Sequence, residues 1–422
     1  MLDAQEQLAR LRRRIANIDA KYARAKKAAP PPALEIPRRC FVEEWAEGQV
    51  VTNEFGEHFE TEREFSSEKP HGSADIGALF ELPETLLDVL AAGEFPAASS
   101  ARWAFLDTEP TGQAEASGTY AFLIGVGRIT QNGFSIRQFL MREYAEERSV
   151  LAALADHLRD FDVLITYNGK AYDQPLLETR YRLTRQKHPF SRLAHIDLLH
   201  GARRLWKLRL ESCRLIQLEQ EILGFYREGD LPGELIPYVY FEYLRSHEAQ
   251  RLISIFHHNA MDILSLACLT AIVPAAFGAT DAQSLERLGL RRGEELAGIA
   301  RWLVTAKRPE AGLELFRRAI EAGLPDKLLF EAMWEMGLVE KRLGNAAAAL
   351  AVFTELAGCR NDYRASALEE LSKHYEHRER DFAAALDFVS QALAHHCSDS
   401  LQRRKQRLEK RLVKHRAAQR LA

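Results

Sequence analysis

Acidic residues and histidines occur at three places along the chain with the types and spacing that metal-dependent chemistry requires. The first place is D-T-E at 107–109, which follows the apolar run 103–106 and precedes a Pro-Thr-Gly turn. Because residues i and i+2 of an extended chain point to the same face, Asp107 and Glu109 are expected to lie together. Two carboxylates held that close repel each other, and a divalent cation is the ordinary remedy. Oxygen ligands favour Mg²⁺ or Mn²⁺, and a solvated turn is the alternative for an isolated D-x-E.

The other two places each supply one further aspartate. Asp173 ends the sequence Y-N-G-K-A-Y-D, and Pro175 suits the first turn of a helix, so Asp173 is expected near a helix N-terminus. There it caps the helix or turns inward to a metal. His258 and Asp262 are i and i+4 on one face of a helix predicted over 258–272, with His257 one residue earlier. Each feature alone is typical of a cap or a surface hydrogen bond, whereas the three together indicate one site.

The elements that position these residues follow a recognisable order. Three strand-like runs at 103–107, 121–129 and 133–140 precede a helical run at 143–158, a buried strand at 162–167 and a helix that ends near 185. This order is that of the ribonuclease H fold, an α/β mixed sheet flanked by helices. We therefore place this domain at 99–282, after an amphipathic helix at 1–29 and a small acidic β-rich lead-in at 38–98.

The remaining segment, 285–422, is predicted to be an all-α repeat-like domain with a basic tail. Small and aromatic residues recur in it at intervals of 37 and 36 positions, and the middle copy resembles a tetratricopeptide repeat. Such units form a short solenoid that binds a partner protein, and a plain helical cap is the alternative.

Charge and composition restrict the partners of the chain. A net charge of −3 over 422 residues gives no global attraction to nucleic acid, so binding requires local patches. Nine Lys and Arg lie between 180 and 209, including Arg203 and Arg204, and aromatic residues such as Trp206 lie among them. We predict that this stretch binds a nucleic acid strand; pairing with the acidic residues of 41–95 is the alternative. Asn168 and Lys170 are predicted contacts in the loop before Asp173.

The same composition predicts a cytoplasmic protein without a membrane span. The N-terminus lacks a signal-peptide pattern, and no stretch approaches 18 uninterrupted apolar residues. Five scattered cysteines without a CxxC pair are expected to be reduced and mostly buried.

The three motifs D-T-E-x-T-G, Y-N-G-K-x-Y-D and H-N-x-x-D resemble the exonuclease motifs of the DEDD superfamily. More narrowly, residues 102–275 resemble the YprB-like ribonuclease H-like proteins. The resemblance implies that Asp107, Glu109, Asp173 and Asp262 bind two Mg²⁺ or Mn²⁺ ions per site. Pro110 replaces the usual threonine, a change that the turn tolerates.

The resemblance also implies a general base near the last aspartate, and two residues compete for that role. The family uses a histidine five residues before this aspartate or a tyrosine four residues before it, where this chain has His257 and His258. We favour His258, because it shares a helical face with Asp262. The resulting prediction is a two-metal nuclease that acts as a 3′→5′ exonuclease on single-stranded ends. The alternative is a non-cleaving scaffold that binds nucleic acid or protein.

Overall fold

The chain forms two compact units in a computed structural model. The units are Met1–Leu199 with Arg214–Ala271, and His200–Cys213 with Ile272–Ala422. The structure describes residues 41–91, 98–112, 118–279 and 282–421, together with Arg12, Arg13 and Ala16. Apart from these three residues, the predicted N-terminal helix 1–29 lies outside the described part of the chain.

Seven strands form one mixed sheet in the first unit, in the order β1-β2-β5-β4-β3-β6-β7. The strands are β1 (Gln49–Asn53), β2 (Gly56–Ser66), β3 (Trp103–Pro110), β4 (Ala121–Thr130), β5 (Gly133–Leu140), β6 (Val163–Thr166) and β7 (Ala194–Asp197). Strand β3, inside the sheet, pairs antiparallel with β4 and parallel with β6. This sheet, with helices beside it, confirms the predicted fold class.

Helices precede, separate and follow the strands. From 41 to 279 they are α1 (Val42–Trp45), α2 (Asp88–Ala91), α3 (Glu147–His157), α4 (Asp173–Leu183), α5 (Leu198–Trp206), α6 (Leu215–Leu218), α7 (Ile236–Ser246) and α8 (Leu252–Gly278). Strand β3 reads as a continuous apolar run because Trp103, Ala104, Phe105 and Leu106 are all buried. The stretch Ala249–Gly278, which contains α8, is long and apolar enough to cross a membrane, but 78% of its most apolar window is buried inside the protein.

The acidic lead-in is part of this sheet. Strand β2 pairs antiparallel with β5 from Phe59↔Leu140 to Ser66↔Gly133, and β1 pairs with β2 at the sheet edge. The segment 38–98, which we predicted as a separate lead-in, therefore shares its sheet with the segment 99–282. Its strand β2 lies close enough to the site to contribute side chains to it.

The second unit contains the C-terminal helices. These are α9 (Ala282–Arg287), α10 (Gly293–Thr305), α11 (Pro309–Glu321), α12 (Asp326–Leu343), α13 (Ala346–Gly358), α14 (Arg364–His374), α15 (Phe382–His395) and α16 (Asp399–Leu421). The predicted all-α region is thus confirmed. The recurring positions Phe316, Phe353 and Val389 are buried on α11, α13 and α15, every second helix of the series. A tetratricopeptide-like character of this region stays a prediction.

The basic tail of the second unit is partly neutralised. The carboxylate of Glu376 is buried and forms ion pairs with Arg404 at 2.7 Å, Arg407 at 2.8 Å and Arg411 at 3.0 Å, all on α16. These arginines hold the last helix in place.

Candidate active site

Strand β3 delivers the first two carboxylates. Asp107 lies opposite Gly125 of β4, and Glu109 lies opposite Leu123. Both belong to the alternate residues of β3 that face α8, where Asn259 contacts Asp107. Asp107 is half-buried and Glu109 is buried. The strand therefore places these two carboxylates on one face, as predicted.

Two glycines of β4 allow α8 to approach the sheet. A Cβ atom on Gly125 would lie 2.2 Å from Oδ1 of Asn259 and 2.4 Å from Cδ1 of Ile263. A Cβ atom on Gly127 would lie 2.5 Å from Cγ2 of Ile263. Because these distances are far below van der Waals contact, any side chain here would push the helix away from β3.

A chain of hydrogen bonds fixes Asp107. Asn259 Nδ2 donates to Oδ2 of Asp107 at 2.8 Å, and Gln138 Nε2 donates to Oδ1 of Asn259 at 2.8 Å. Thr61 Oγ1 in turn donates to Oε1 of Gln138 at 3.1 Å. Since Gln138 and Asn259 are fully buried, their amide orientations are set by this chain. The lead-in strand β2 therefore supports the site through Thr61.

The third carboxylate, Asp173, opens helix α4, as the sequence predicted. Thr108 Oγ1 donates to its Oδ1 at 2.5 Å. The loop before it is held by Asp197 at the end of β7, which accepts the backbone N–H groups of Asn168 at 2.8 Å and Lys170 at 3.1 Å. Asn168 has a φ of 65°, a left-handed conformation that asparagine tolerates. Asp197 thus shapes the loop that positions Asp173.

Helix α8 carries the last carboxylate and both histidines. His258 Nε2 lies 3.5 Å from Oδ2 of Asp262, and its Nδ1 lies 2.8 Å from Oδ2 of Asp230. The helix begins at Leu252 and not near 258, so His257 lies about 100° around the helix from His258. His257 is exposed, next to the positive charge of Arg63. Of the two candidate bases, His258 is the one that faces the acidic residues.

The four predicted carboxylates come together as one cluster of like charge. Burial raises the pKa of Asp107 well above its ordinary value, and Asp262, Glu109 and Asp173 each raise it further. Burial is also the main reason that the pKa of Glu109 rises to about 8 and that of Asp173 to about 6. His258 and Arg227 lower the pKa of Glu109 and so offset this repulsion in part.

The donor atoms suit a divalent cation. Among the described residues, ligand atoms of Glu109, His258 and Asp262 all lie within 4.8 Å of one another. Together with the neighbouring Asp107 and Asp173, they form an oxygen-rich donor set of the kind that Mg²⁺ and Mn²⁺ prefer. The residues present therefore fit the predicted metal.

Sequence reasoning missed a buried arginine beside this cluster. Nη2 of Arg227 contacts both Asp262 and Glu219, and its Nη1 lies 3.2 Å from Oδ2 of Asp230. Arg227 is 35 positions from Asp262, and only its R-x-x-D spacing with Asp230 marks it in the sequence. Asn259, in contrast, lies inside the recognised H-N-x-x-D motif.

The predicted nucleic-acid contacts divide into exposed and buried residues. Lys170, Arg203 and Arg204 are exposed, and Asn168 is half-buried. Trp206 is fully buried, so the prediction that its ring is available to stack on a base is wrong. On the amphipathic helix α5 this ring lies on the apolar face, while the arginines lie on the polar face.

Other members of the basic stretch are already paired inside the protein. Arg180 forms an ion pair with Glu147, and Arg192 Nη1 donates to the carbonyl of Phe161 at 2.8 Å. Tyr181 and Phe190 are buried as well. The stretch is therefore not one continuous binding face.

Comparisons with known proteins agree with this geometry. A model of the RNase_H superfamily matches residues 104–273, which contain all four carboxylates. The chain is also 32% identical over 292 residues to the uncharacterized protein YprB of Bacillus subtilis (strain 168), covering 69% of this chain and 68% of that protein. The chain belongs to the ribonuclease H-like family of YprB. Membership in this superfamily points to the hydrolysis of nucleic acid.

Proposed function

We propose that the protein is a metal-dependent nuclease, a 3′→5′ exonuclease that acts on single-stranded ends. The observation that carries this proposal is the cluster of Asp107, Glu109, Asp173 and Asp262, in which burial and then the neighbouring carboxylates raise the pKa of Asp107. Arg227 and His258 offset only part of this repulsion, and buried carboxylates of like charge are typical of functional sites.

The cluster would hold two Mg²⁺ or Mn²⁺ ions. Glu109 and Asp262, with Asp107, would bind one ion, and Asp107 with Asp173 would bind the other. When bound, such ions lower the pKa of a water molecule and stabilise the leaving oxygen of a phosphodiester. Asn259 and Thr108 support this role, because each hydrogen-bonds one carboxylate and leaves other oxygen atoms for a cation.

His258 would act as the general base. Asp230 holds Nδ1 of the ring, which leaves Nε2, 3.5 Å from Oδ2 of Asp262, to accept a proton. Burial lowers the pKa of His258, but Asp230, Asp262 and Glu109 outweigh it and raise the pKa to about 9. Cations held by the carboxylates would lower it again, and Nε2 would then accept the proton of the attacking water. His257 is exposed, and we assign it no part in proton transfer.

The substrate would be held by exposed cations. Lys170 lies in the loop before Asp173 and is proposed to contact a phosphate, with Asn168 beside it. Arg203 and Arg204 are further phosphate contacts, whereas Trp206 is excluded by its burial. We further propose that the C-terminal helices bind a protein partner. The thiols of Cys268, Cys359 and Cys397, which form no disulfide, support a cytoplasmic location, although of these three described cysteines only Cys268 is buried.

Digestion of single-stranded DNA and RNA oligonucleotides labelled at the 5′ end tests this proposal. Wild type with Mn²⁺ should give a ladder that shortens from the 3′ end, and Asp107→Ala plus Asp173→Ala should abolish it. Exposed Asp156 and Asp160, both changed to alanine, form the matched control and should leave the ladder intact. Equal binding of the oligonucleotide by all three proteins without any ladder would contradict the nuclease and favour a non-cleaving scaffold.

A further inference from the structure

The segment between α6 and α7 brings charged side chains to the site. One π-helical turn, Glu219–Leu223, follows α6, and the chain reverses at Gly224 with a φ of 63°. The backbone N–H of Phe225 then donates to the carbonyl of Glu219 at 2.8 Å. The reversal places residues on both sides of the turn, Glu219 and Arg227, next to each other.

This segment is anchored at two points. The backbone N–H of Ser73 in the lead-in donates to the carbonyl of Leu223 at 2.6 Å. The ring of His71 lies 4.0 Å from that of Phe225, and its Nε2 is 2.7 Å from Oγ of Ser265 on α8. The lead-in and α8 therefore hold the reversal in a fixed place, and Arg227 follows it directly.

Arg227 lies among three carboxylates. Its side chain is only 3% exposed, and the carboxylate of Glu219 beneath it is fully buried. The same Nη2 atom contacts Glu219 and Asp262, while Nη1 lies 3.2 Å from Asp230. A guanidinium stays charged and presents its donors in a planar fork, so it can bind several carboxylates in one fixed arrangement.

These contacts decide which atoms face the metal cluster. Arg227 donates a hydrogen bond to Oδ1 of Asp262. The other oxygen, Oδ2, lies 3.5 Å from Nε2 of His258. Oδ2 of Asp230 likewise forms a hydrogen bond with Nδ1 of His258. One oxygen of Asp262 and one nitrogen of His258 are thus directed towards Glu109.

We propose that Arg227 and Asp230 are positioning residues of the active site, an inference that rests on the proposed nuclease function. Arg227 presents Oδ2 of Asp262 to the divalent cation, with Glu219 as its buried counter-charge. Asp230 presents Nε2 of His258 to the attacking water. Both residues would act through the side chains that they hold, Asp262 and His258.

Binding of Mn²⁺, followed through the electron paramagnetic resonance signal of the free ion, tests the role of Arg227. Arg227→Lys keeps the positive charge but loses the planar arrangement of donors. It should raise the Kd for Mn²⁺ about 10- to 100-fold. Arg245→Lys is the matched control, because Arg245 is 77% exposed and pairs only loosely with Glu242. Wild-type affinity in folded Arg227→Lys would overturn the assignment.

A second variant serves if Arg227→Lys does not fold. Glu219→Gln keeps the shape of the buried partner and removes its charge, so the guanidinium is held less firmly. Its affinity for Mn²⁺ should also fall, and an unchanged Kd would count against the role of Arg227.

Steady-state cleavage of an oligonucleotide tests the role of Asp230. Asp230→Asn should lower kcat about 10- to 100-fold and leave KM unchanged, because the proton acceptor is misoriented. A merely structural role would instead lower the melting temperature without this split between kcat and KM. Asp156→Asn, at a 71% exposed side chain, is the control. A wild-type kcat in Asp230→Asn would contradict the proposal.

The two proposals fail in different ways. If the wild type binds Mn²⁺ but releases no nucleotide, the nuclease function is wrong, and the affinity of Arg227→Lys still tests the positioning of Asp262. If the wild type cleaves and the variants match it, only the positioning inference is wrong.

Discussion

Gly125 is the residue whose substitution tests the packing of the site most sharply. In Gly125→Ala the new Cβ atom would lie 2.4 Å from Cδ1 of Ile263 and 2.2 Å from Oδ1 of Asn259. Carbon atoms pack at about 3.5–4.0 Å, so α8 must move by about 1 Å. The hydrogen bond from Asn259 to Asp107, now 2.8 Å, would then exceed hydrogen-bond length.

The expected cost follows from two contributions. Overpacking costs about 1–3 kcal/mol, and the lost hydrogen bond to a carboxylate costs about 1.5–3 kcal/mol. The free energy of unfolding should therefore fall by about 2.5–6 kcal/mol, a large part of the total of about 5–15 kcal/mol that keeps a domain folded. The melting temperature should drop by about 5–24 °C. Because Asn259 holds Asp107 in place, a displacement of Asn259 by about 1 Å should lower kcat about 100-fold.

Two measurements follow this prediction: thermal unfolding by circular dichroism, and oligonucleotide cleavage with Mn²⁺ below the transition. Gly358→Ala is the matched control, because a Cβ atom there meets no atom within 4 Å. It should change stability by no more than about 1 kcal/mol. If Gly125→Ala unfolds and cleaves like the wild type, the close approach of α8 to β4 is not what positions Asp107.

Three further variants have defined outcomes. Thr108→Val removes the donor to Asp173 and should weaken Mn²⁺ binding about tenfold in the same titration, and an unchanged Kd would show that this hydrogen bond does not matter. Burial, with Arg137 and Arg128, lowers the pKa of His157 to about 4, so the folded protein keeps this ring neutral. Stability from His157 is therefore present above pH 6.5 and lost as the pH falls towards 4, by about 3 kcal/mol. Urea unfolding at pH 6.5 and at pH 4 should show that His157→Phe loses less stability between the two pH values than the wild type does. An equal loss of stability would refute His157 as its cause. Arg203→Ala plus Arg204→Ala should reduce the slope of log affinity against log salt concentration by about 0.7 for each lost phosphate contact. A slope equal to that of the wild type would show that neither arginine contacts a phosphate.

Local patterns in the sequence predict the centre of the sheet and the four carboxylates. The runs behind β3, β4 and β5 are apolar and end in turn residues, so their periodicity is readable without the fold. Asp107, Glu109, Asp173 and Asp262 are marked by short motifs, and the structure brings all four together.

Features that depend on distant pairing were not predictable in the same way. The joining of β2 to β5 and the contact of Arg227 with Asp262 link residues far apart in the chain, and no local spacing encodes them. The burial of Trp206 is a different case. Its helical period places it on the apolar face with Leu205, and reading it only as part of a basic stretch missed this.

The central claim is that the four carboxylates hold divalent cations, and anomalous diffraction from crystals soaked in Mn²⁺ tests it most directly. The account predicts anomalous density at bonding distance from Glu109 and Asp262, and a second peak between Asp107 and Asp173. Crystals in which Mn²⁺ binds elsewhere, and none binds among these carboxylates, would contradict it.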